Sequence, residues 1–382
     1  MTLHAEVNIA QLCKTGEELC GDNVQVTRTA DSLIVVVSDG LGSGVKANIL
    51  ATLTTKIASS MLARGASLDD VVETIAQTLP VCRERKIAYS TLQILRIDHF
   101  GNATLVEFDS PRTLLSRAGH VMPFPAQTKT VGGKTVLAGH FELQEDDWVV
   151  LVSDGVIHAG IGGLLPLGLG WDGLAARLAE DVANATDTSD ICKSLLSCCE
   201  GYYLGKPGDD TTVVAVKVRR PRRLNLMMGP PVASEHDADV VRRFLAAPGQ
   251  KVVSGGTTAT LVSRVIGKPL KVSLEYHDPN VPPIAYLDGI DLVTEGVLTL
   301  NAAVDRLRAI PELRRSTRKD GASLVARLLM DVDHIHIWAG GAVNPAHQNP
   351  LLPSDMNIKL QVLGRLRTQL EALGKIVQIE WV

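Results

Sequence analysis

The chain has 382 residues, 45% of them hydrophobic, with 38 Lys and Arg against 42 Asp and Glu for a formal net charge of −4. Single cores rarely grow beyond roughly 250–300 residues, so two domains are expected. The mildly acidic balance argues against a dedicated nucleic-acid binder, and the longest apolar stretch, 156–169, is broken by glycines and Pro166, which excludes a bilayer span there. The first ten residues have neither the basic start nor the apolar centre of a secretory leader, so a cytoplasmic location is expected.

Residues 5–28 read as extended chain, with Gly21-Asp22-Asn23 leading into the alternating Val24-Gln25-Val26-Thr27. Ala30-Asp31-Ser32 reads as a turn and Leu33–Ser38 as the next strand, which predicts an antiparallel hairpin. Glycines 40, 42 and 44 open a predicted helix over 45–62, followed by a second over 69–83. Strands are predicted over 88–97, 103–109 and 113–118. The run Val149–Val152 then ends in Ser153-Asp154-Gly155, much as Val35–Val37 ends in Ser38-Asp39-Gly40. A helical pair is predicted between Gly173 and Tyr202, and Asp209-Asp210-Thr211-Thr212 leads into a strand over 213–218. Strands flanked by two helical pairs predict an α+β layered domain over residues 1–220.

Arg219-Arg220-Pro221-Arg222-Arg223 marks a break in composition; a phosphate-binding patch is one reading, a solvated linker the commoner one. Beyond it, Ser234 and Asp237 predict a capping box for a helix to Leu245. Strands are predicted over 251–256, 259–266, 272–276 and 284–287, helices over 300–310, 323–330 and 356–373, and a closing strand over 376–382. Residues 224–382 thus read as a second α/β domain. His334 and His336 alternate on a predicted strand and share a face, with His347 beyond Gly340-Gly341. A metal or acid–base role fits them, as does the commoner reading of polar residues on a half-exposed strand. Gly255-Gly256-Thr257-Thr258 and the segment 288–296 read as turns that could line a ligand or partner surface. The six cysteines, Cys13, Cys20, Cys82, Cys192, Cys198 and Cys199, show no paired CxxC spacing and read as small buried apolar residues in a reducing compartment.

Aspartate is a poor strand residue and costly to bury unpaired. Held at the rigid end of an apolar strand, it suits a hard-metal site. In an antiparallel hairpin the start of one strand lies beside the end of its partner, which brings Asp22 to Asp39. If the strands next to Asp154 and to Asp209-Asp210 are neighbours, five carboxylates meet at one end of the fold. They cannot all stay ionised without cations. Oxygen donors select Mg²⁺ or Mn²⁺, and so many of them point to a two-metal site suited to phosphoryl transfer to water. The Gly40 carbonyl is a further candidate ligand. Residues 40–44 lack the GK[ST] ending of a P-loop and the spacing of a dinucleotide fingerprint. Leu41 stands where a haloacid-dehalogenase-type DxDxT motif needs its second aspartate.

Cys20-Gly21-Asp22-Asn23, Ser38-Asp39-Gly40-Leu41-Gly42-Ser43-Gly44-Val45-Lys46-Ala47, Ser153-Asp154-Gly155 and Gly208-Asp209-Asp210-Thr211-Thr212 resemble, in order and spacing, the motifs of the metal-dependent type-2C (PPM) serine/threonine protein phosphatases. The bacterial branch named for the sporulation stage II protein SpoIIE is the most similar. The resemblance covers about residues 1–220 and implies a four-layer α-β-β-α sandwich with two Mn²⁺ or Mg²⁺ ions between its sheets. It implies that Asp39 bridges both ions, that the Gly40 carbonyl and Asp154 bind one and Asp209 the other, and that Asp22 assists through water with Asp210 beside it. The helical pair at 45–83 would correspond to the branch's regulatory switch helices. The implied reaction is hydrolysis of phosphoserine or phosphothreonine on a partner protein, in this branch often an anti-sigma-factor antagonist, with a homodimer left open. Leu41 departs from the histidine that many eukaryotic relatives carry as a proposed general acid. No N-terminal arginine is placed to hold the phosphate, leaving Lys14 as its substitute, and Glu17 or Glu18 is a candidate to support a metal-bound water. A catalytically silent phosphoprotein-binding scaffold on the same fold is the alternative. Such scaffolds usually lose core aspartates, and this chain keeps them.

Overall fold

The structure, a computed structural model, describes residues 2–29, 31–78, 90–341 and 358–382. Ala30, the end of the predicted second helix at 79–83 with Cys82, the strand start at 88–89, His347 and the helix start at 356–357 lie outside the described residues. The chain divides into two compact units, Met1–Arg220 and Pro221–Val382, the arginine run spanning the division.

The first unit is built on two antiparallel sheets. One has the order β1 (His4–Leu12), β11 (Thr211–Arg219), β10 (Trp148–Val152), β6 (Leu114–Arg117), β7 (His120–Pro123). The other runs β2 (Asp22–Arg28), β3 (Ser32–Asp39), β4 (Leu92–Asp98), β5 (Asn102–Phe108), β9 (Lys134–Glu142), β8 (Gln127–Val131). Side-chain alternation explains why the central strands are apolar throughout. In β3, Leu33, Val35 and Val37 pack with Leu151, Val214 and Val216 of the opposite sheet. Its Ile34 and Val36 face the other way, onto α1 (Gly44–Ala63) and α2 (Leu68–Thr78). Val150, Val152, Val213 and Ala215 likewise cover α4 (Gly170–Val182) and α5 (Thr188–Tyr202). The result is the α-β-β-α sandwich. A capping box of Asp187 and Asp190 opens α5. One further turn, α3 (Asp154–Ile157), follows β10 directly.

Sequence reasoning missed β7, β8 and β9. Gln127–Val131 is exposed at four of its five positions, so it carries no apolar alternation. The Gly132-Gly133 pair between β8 and β9, both with positive φ, was the legible signal of a hairpin.

The second unit holds a seven-stranded sheet ordered β14 (Lys271–Val272), β15 (Ala285–Tyr286), β16 (Leu292–Thr294), β13 (Gln250–Ser254), β12 (Arg223–Met228), β17 (His334–Ala339), β18 (Ile376–Trp381). From β16 to β18 every pairing is parallel. The parallel strands follow the doubly wound order, growing outward both ways from β12. Helices cover both faces: α8 (Val297–Arg308), α10 (Gly321–Asp331) and α11 (Ile358–Ala372) on one, α6 (Asp237–Ala246) and α7 (Gly256–Ile266) on the other. A short α9 (Ile310–Arg315) follows α8.

Three expectations are corrected here. Residues 259–266 are not a strand but most of α7. Their β-branched content imitates a strand, yet β13 and β16 are parallel and the chain must cross back between them. The Ser234–Asp237 capping box does not form; Ser234 opens a single 3₁₀ turn, and α6 starts at Asp237 without a side-chain cap. The strand expected over 272–276 is reduced to Lys271–Val272. His336 packs its ring at 4.5 Å, tilted, against Trp338, and its Nε2 lies 3.1 Å from Glu380 Oε2 without hydrogen-bond geometry.

At the end of β3, helix α1 rests directly on backbone. A Cβ built on Gly40 would sit 2.0 Å from the Ala47 carbonyl oxygen. Gly40→Ala must therefore displace α1, at a cost of about 1–3 kcal/mol typical of overpacking. Urea unfolding followed by circular dichroism should show the lower midpoint; an unchanged midpoint would mean that α1 can move aside freely.

Candidate active site

The hairpin brings the first two aspartates face to face, because the β2–β3 register pairs Asp22 with Asp39 directly. In the other sheet, β10 and β11 are antiparallel neighbours with Val152 opposite Val213. Ser153 N donates to Thr212 O at 3.1 Å, and Thr212 N donates back to Ser153 Oγ at 2.9 Å. Asp154 is the residue just past β10, at the start of α3, and Asp209-Asp210 immediately precede β11.

Two bonds stitch the sheets together at this end. Thr212 Oγ1 donates to Asp22 Oδ2 at 2.6 Å, and Gly21 N donates to Asp210 Oδ2 at 2.9 Å. Lys14 N donates to the second oxygen, Asp210 Oδ1, also at 2.9 Å. Asp210 is therefore a clamp on the loop 13–21, with each carboxylate oxygen accepting a backbone N–H. Close backbone approach explains the second Asp-Gly pair too, since a Cβ on Gly155 would lie 2.0 Å from the Asp210 carbonyl oxygen.

The charges crowd. Burial, then the carboxylates of Asp22, Asp154, Asp209 and Asp210, push Asp39 up to about 9. Burial lifts Asp22 to about 6 despite its Thr212 bond, and burial with the Asp209 charge raises Asp154. Lys14 Nζ stands 3.7 Å from Asp209 Oδ1, and the imidazole Nδ1 of His158 lies 3.8 Å from Asp154 Oδ2. Asp22 Oδ1 is buried without a hydrogen-bond partner, which is costly unless something else neutralises it. Carboxylate and carbonyl oxygens, an orphaned buried carboxylate oxygen and mutual repulsion together fit a hard divalent cation such as Mg²⁺ or Mn²⁺.

Glu17 is engaged elsewhere. Its Oε1 accepts the Ser43 hydroxyl at 2.7 Å at the start of α1, while Glu18 is exposed. Sequence reasoning missed His158 and Lys206, which with Tyr203 and Asp209 line a cavity of about 370 Å³ beside Asp154. The Tyr203 hydroxyl donates to Gly155 O at 2.7 Å and so fixes the turn after Asp154. The i,i+4 spacing of Asp154 and His158 was available in the sequence, but only to a reading that placed a helical turn there.

The family model described as Stage II sporulation protein E (SpoIIE) matches residues 29–219, half of the chain. No curated protein matches. Among solved structures, the chain is similar to the PP2C phosphatase domain with a fragment of the regulatory domain of SpoIIE from Bacillus subtilis, at 23% identity and a TM-score of 0.48, over 56% of this chain and 63% of that one. The match thus spans less than two thirds of that SpoIIE chain. The RsbU and RsbW domains of a Mycobacterium tuberculosis protein match at 18% identity and a TM-score of 0.49, over 64% and 70% of the two chains. RsbX in complex with magnesium matches at 20% identity and a TM-score of 0.43, over 56% and 96%. Among the described residues no helix is long and apolar enough to cross a membrane. On the family match across half its length, this chain belongs to the SpoIIE family of PPM-type phosphatases.

Proposed function

We propose that the first unit is a metal-dependent phosphoserine/phosphothreonine protein phosphatase that works in the cytoplasm in a partner-switching system. The observation that carries this reading is the gathering of Asp39 opposite Asp22 with Asp154, Asp209 and Asp210 around it, where burial and then those neighbouring carboxylates push its carboxyl up to about 9. Asp39, the Gly40 carbonyl, Asp154 and Asp209 would hold two Mn²⁺ or Mg²⁺ ions, with Asp22 assisting through water. When bound, such ions supply charge neutralisation and an activated water for in-line attack on a phosphoryl group. The chain's own residues do the positioning. Asp210 clamps the loop that sets Lys14 near Asp209. His158 and Lys206 offer cationic or hydrogen-bonding groups to a phosphate in the adjoining cavity. The substrate would be a phosphorylated partner protein, with an anti-sigma-factor antagonist the candidate suggested by the family resemblance. The second unit, residues 224–382 in the sequence reading, would recruit that substrate or regulate α1 and α2.

Purified protein with Mn²⁺ should release phosphate from a phosphoserine peptide, and Asp39→Asn should reduce release to background. Metal binding without turnover by the wild-type chain would instead favour the silent scaffold.

The same crowding sets a pH dependence. In metal-free protein the Asp39 carboxyl binds its proton up to about 9 when folded, against an ordinary value of 3.8. The folded state then holds more protons across that window, so metal-free stability falls as pH rises through it. In EDTA, the Tm of Asp39→Asn should gain on wild type between about pH 5 and about pH 8. Added Mn²⁺ should raise the Tm of wild type more than that of the variant. A Tm difference independent of pH would show that Asp39 is not held protonated.

Removing residues 224–382 should leave p-nitrophenyl phosphate hydrolysis in place while changing the rate on the phosphoprotein target. Equal rates and equal regulation in both forms would exclude a role for the second unit in either.

A further inference from the structure

The loop 13–21 that Asp210 clamps also carries two thiols. Cys192 and Cys199 are buried as the sequence suggested, but Cys13 is exposed and Cys20 half-buried, and both are free. The Cys13 and Cys20 sulfurs and a carboxylate oxygen of Asp210 all lie within 4.8 Å of one another. A tetrahedral zinc ion with Zn–S near 2.3 Å and Zn–O near 2.0–2.2 Å needs ligand atoms roughly 3.5–3.8 Å apart, so small side-chain rotations suffice. The frame around the three groups is fixed by backbone. Thr15 N donates to Pro207 O at 2.9 Å, Asn48 Nδ2 donates to Cys20 O at 2.8 Å, and Asp210 accepts from Lys14 N and Gly21 N. A carboxylate has about four acceptor positions, so these two N–H bonds leave Asp210 free to bind a cation as well.

The donor set differs in kind from the oxygen-only aspartate centre. Two sulfurs select a borderline-soft ion over Mg²⁺ or Mn²⁺. A cation also answers the charge on Asp210 and its neighbour Asp22, which a disulfide between the same sulfurs would not.

We propose that Cys13, Cys20 and Asp210 form a second cation site, for Zn²⁺, with its fourth position open to water. The site stands on the geometry of this loop and does not depend on the phosphatase reading. When filled, it would rigidify the segment that carries Lys14 toward Asp209.

Co²⁺ serves as the spectroscopic stand-in for Zn²⁺ in the reduced, full-length protein. Titration should produce a sulfur-to-cobalt charge-transfer band that added Zn²⁺ abolishes. The band should weaken in Cys13→Ser, whose exposed position makes folding a small concern, and vanish in Cys13→Ser/Cys20→Ser. It should persist in Asp39→Asn, which separates this site from the aspartate centre. Zn²⁺ should also protect two more thiols from a thiol reagent in wild type than in the double variant. No charge-transfer band in wild type, or an equal band in the double variant, overturns the proposal. So does quantitative Cys13–Cys20 disulfide formation in air with Zn²⁺ present, which would mark the pair as a redox couple.

Discussion

The constraint on which the first unit depends is the repulsion among aspartates gathered at one end of its two sheets. Each sheet brings its own group: Asp22 and Asp39 through the β2–β3 register, and Asp154, Asp209 and Asp210 at the ends of β10 and β11. Left alone, these groups favour opening the sandwich at that edge. The edge stays closed because hydrogen bonds cross between the sheets, Thr212 to Asp22 and Gly21 to Asp210, while within one sheet Gln11 Nε2 donates to Thr212 Oγ1 at 3.0 Å and orients that hydroxyl. Charge-assisted bonds of this kind are roughly twice as strong as neutral ones. They let the fold hold a concentration of negative charge that is not stable in its own right, the condition a cation centre requires.

That division of labour separates Asp210 from its neighbour. Asp209 is partly exposed; its Oδ1 accepts the Asp210 N–H and lies 3.7 Å from Lys14 Nζ, which leaves its other oxygen outside both contacts. Asp210 is buried, and each of its oxygens accepts one backbone N–H of the loop 13–21, so it holds that loop in place while keeping further acceptor positions. Adjacent and chemically identical residues thus fall into different roles just before β11: the Asp210 carboxylate meets the backbone of the loop 13–21, while that of Asp209 stays partly exposed.

Much of this was legible in the sequence because it is local. An aspartate ending an apolar run, a second one opening the paired strand and a turn between them fix the Asp22–Asp39 contact with no knowledge of the rest. A layered α+β domain was legible from apolar strands flanked by two helical pairs, and the family resemblance supplied its four-layer sandwich form. What stayed hidden is what depends on segments meeting across the fold. Lys206 and His158 meet at one cavity, and Cys13 and Cys20 close on each other through a loop with no metal-clip spacing. The second unit misled for a related reason. Residues 259–266 have strand composition, and only the parallel pairing of β13 with β16 dictates that they be a helix. Local propensity yields when topology demands a crossover.

The repeated Asp-Gly pair has two physical causes, and their adjacency links the aspartate centre to the outer helix. The aspartate supplies charge; the glycine supplies a place where another backbone can touch. At Gly40 that backbone is α1, through the Ala47 carbonyl, and at Gly155 it is the carbonyl of Asp210. A contact between backbones has no rotamer to absorb displacement, unlike one between flexible side chains. Any shift of α1 at Ala47 toward the sheet must therefore move the chain at Gly40, one bond from Asp39. Ser43 and Glu17 add a second link, tying the start of α1 to the loop that Asp210 holds. Helix α1 is thus coupled to the carboxylates on both sides of the site, which makes its position a variable that any partner touching it would transmit inward.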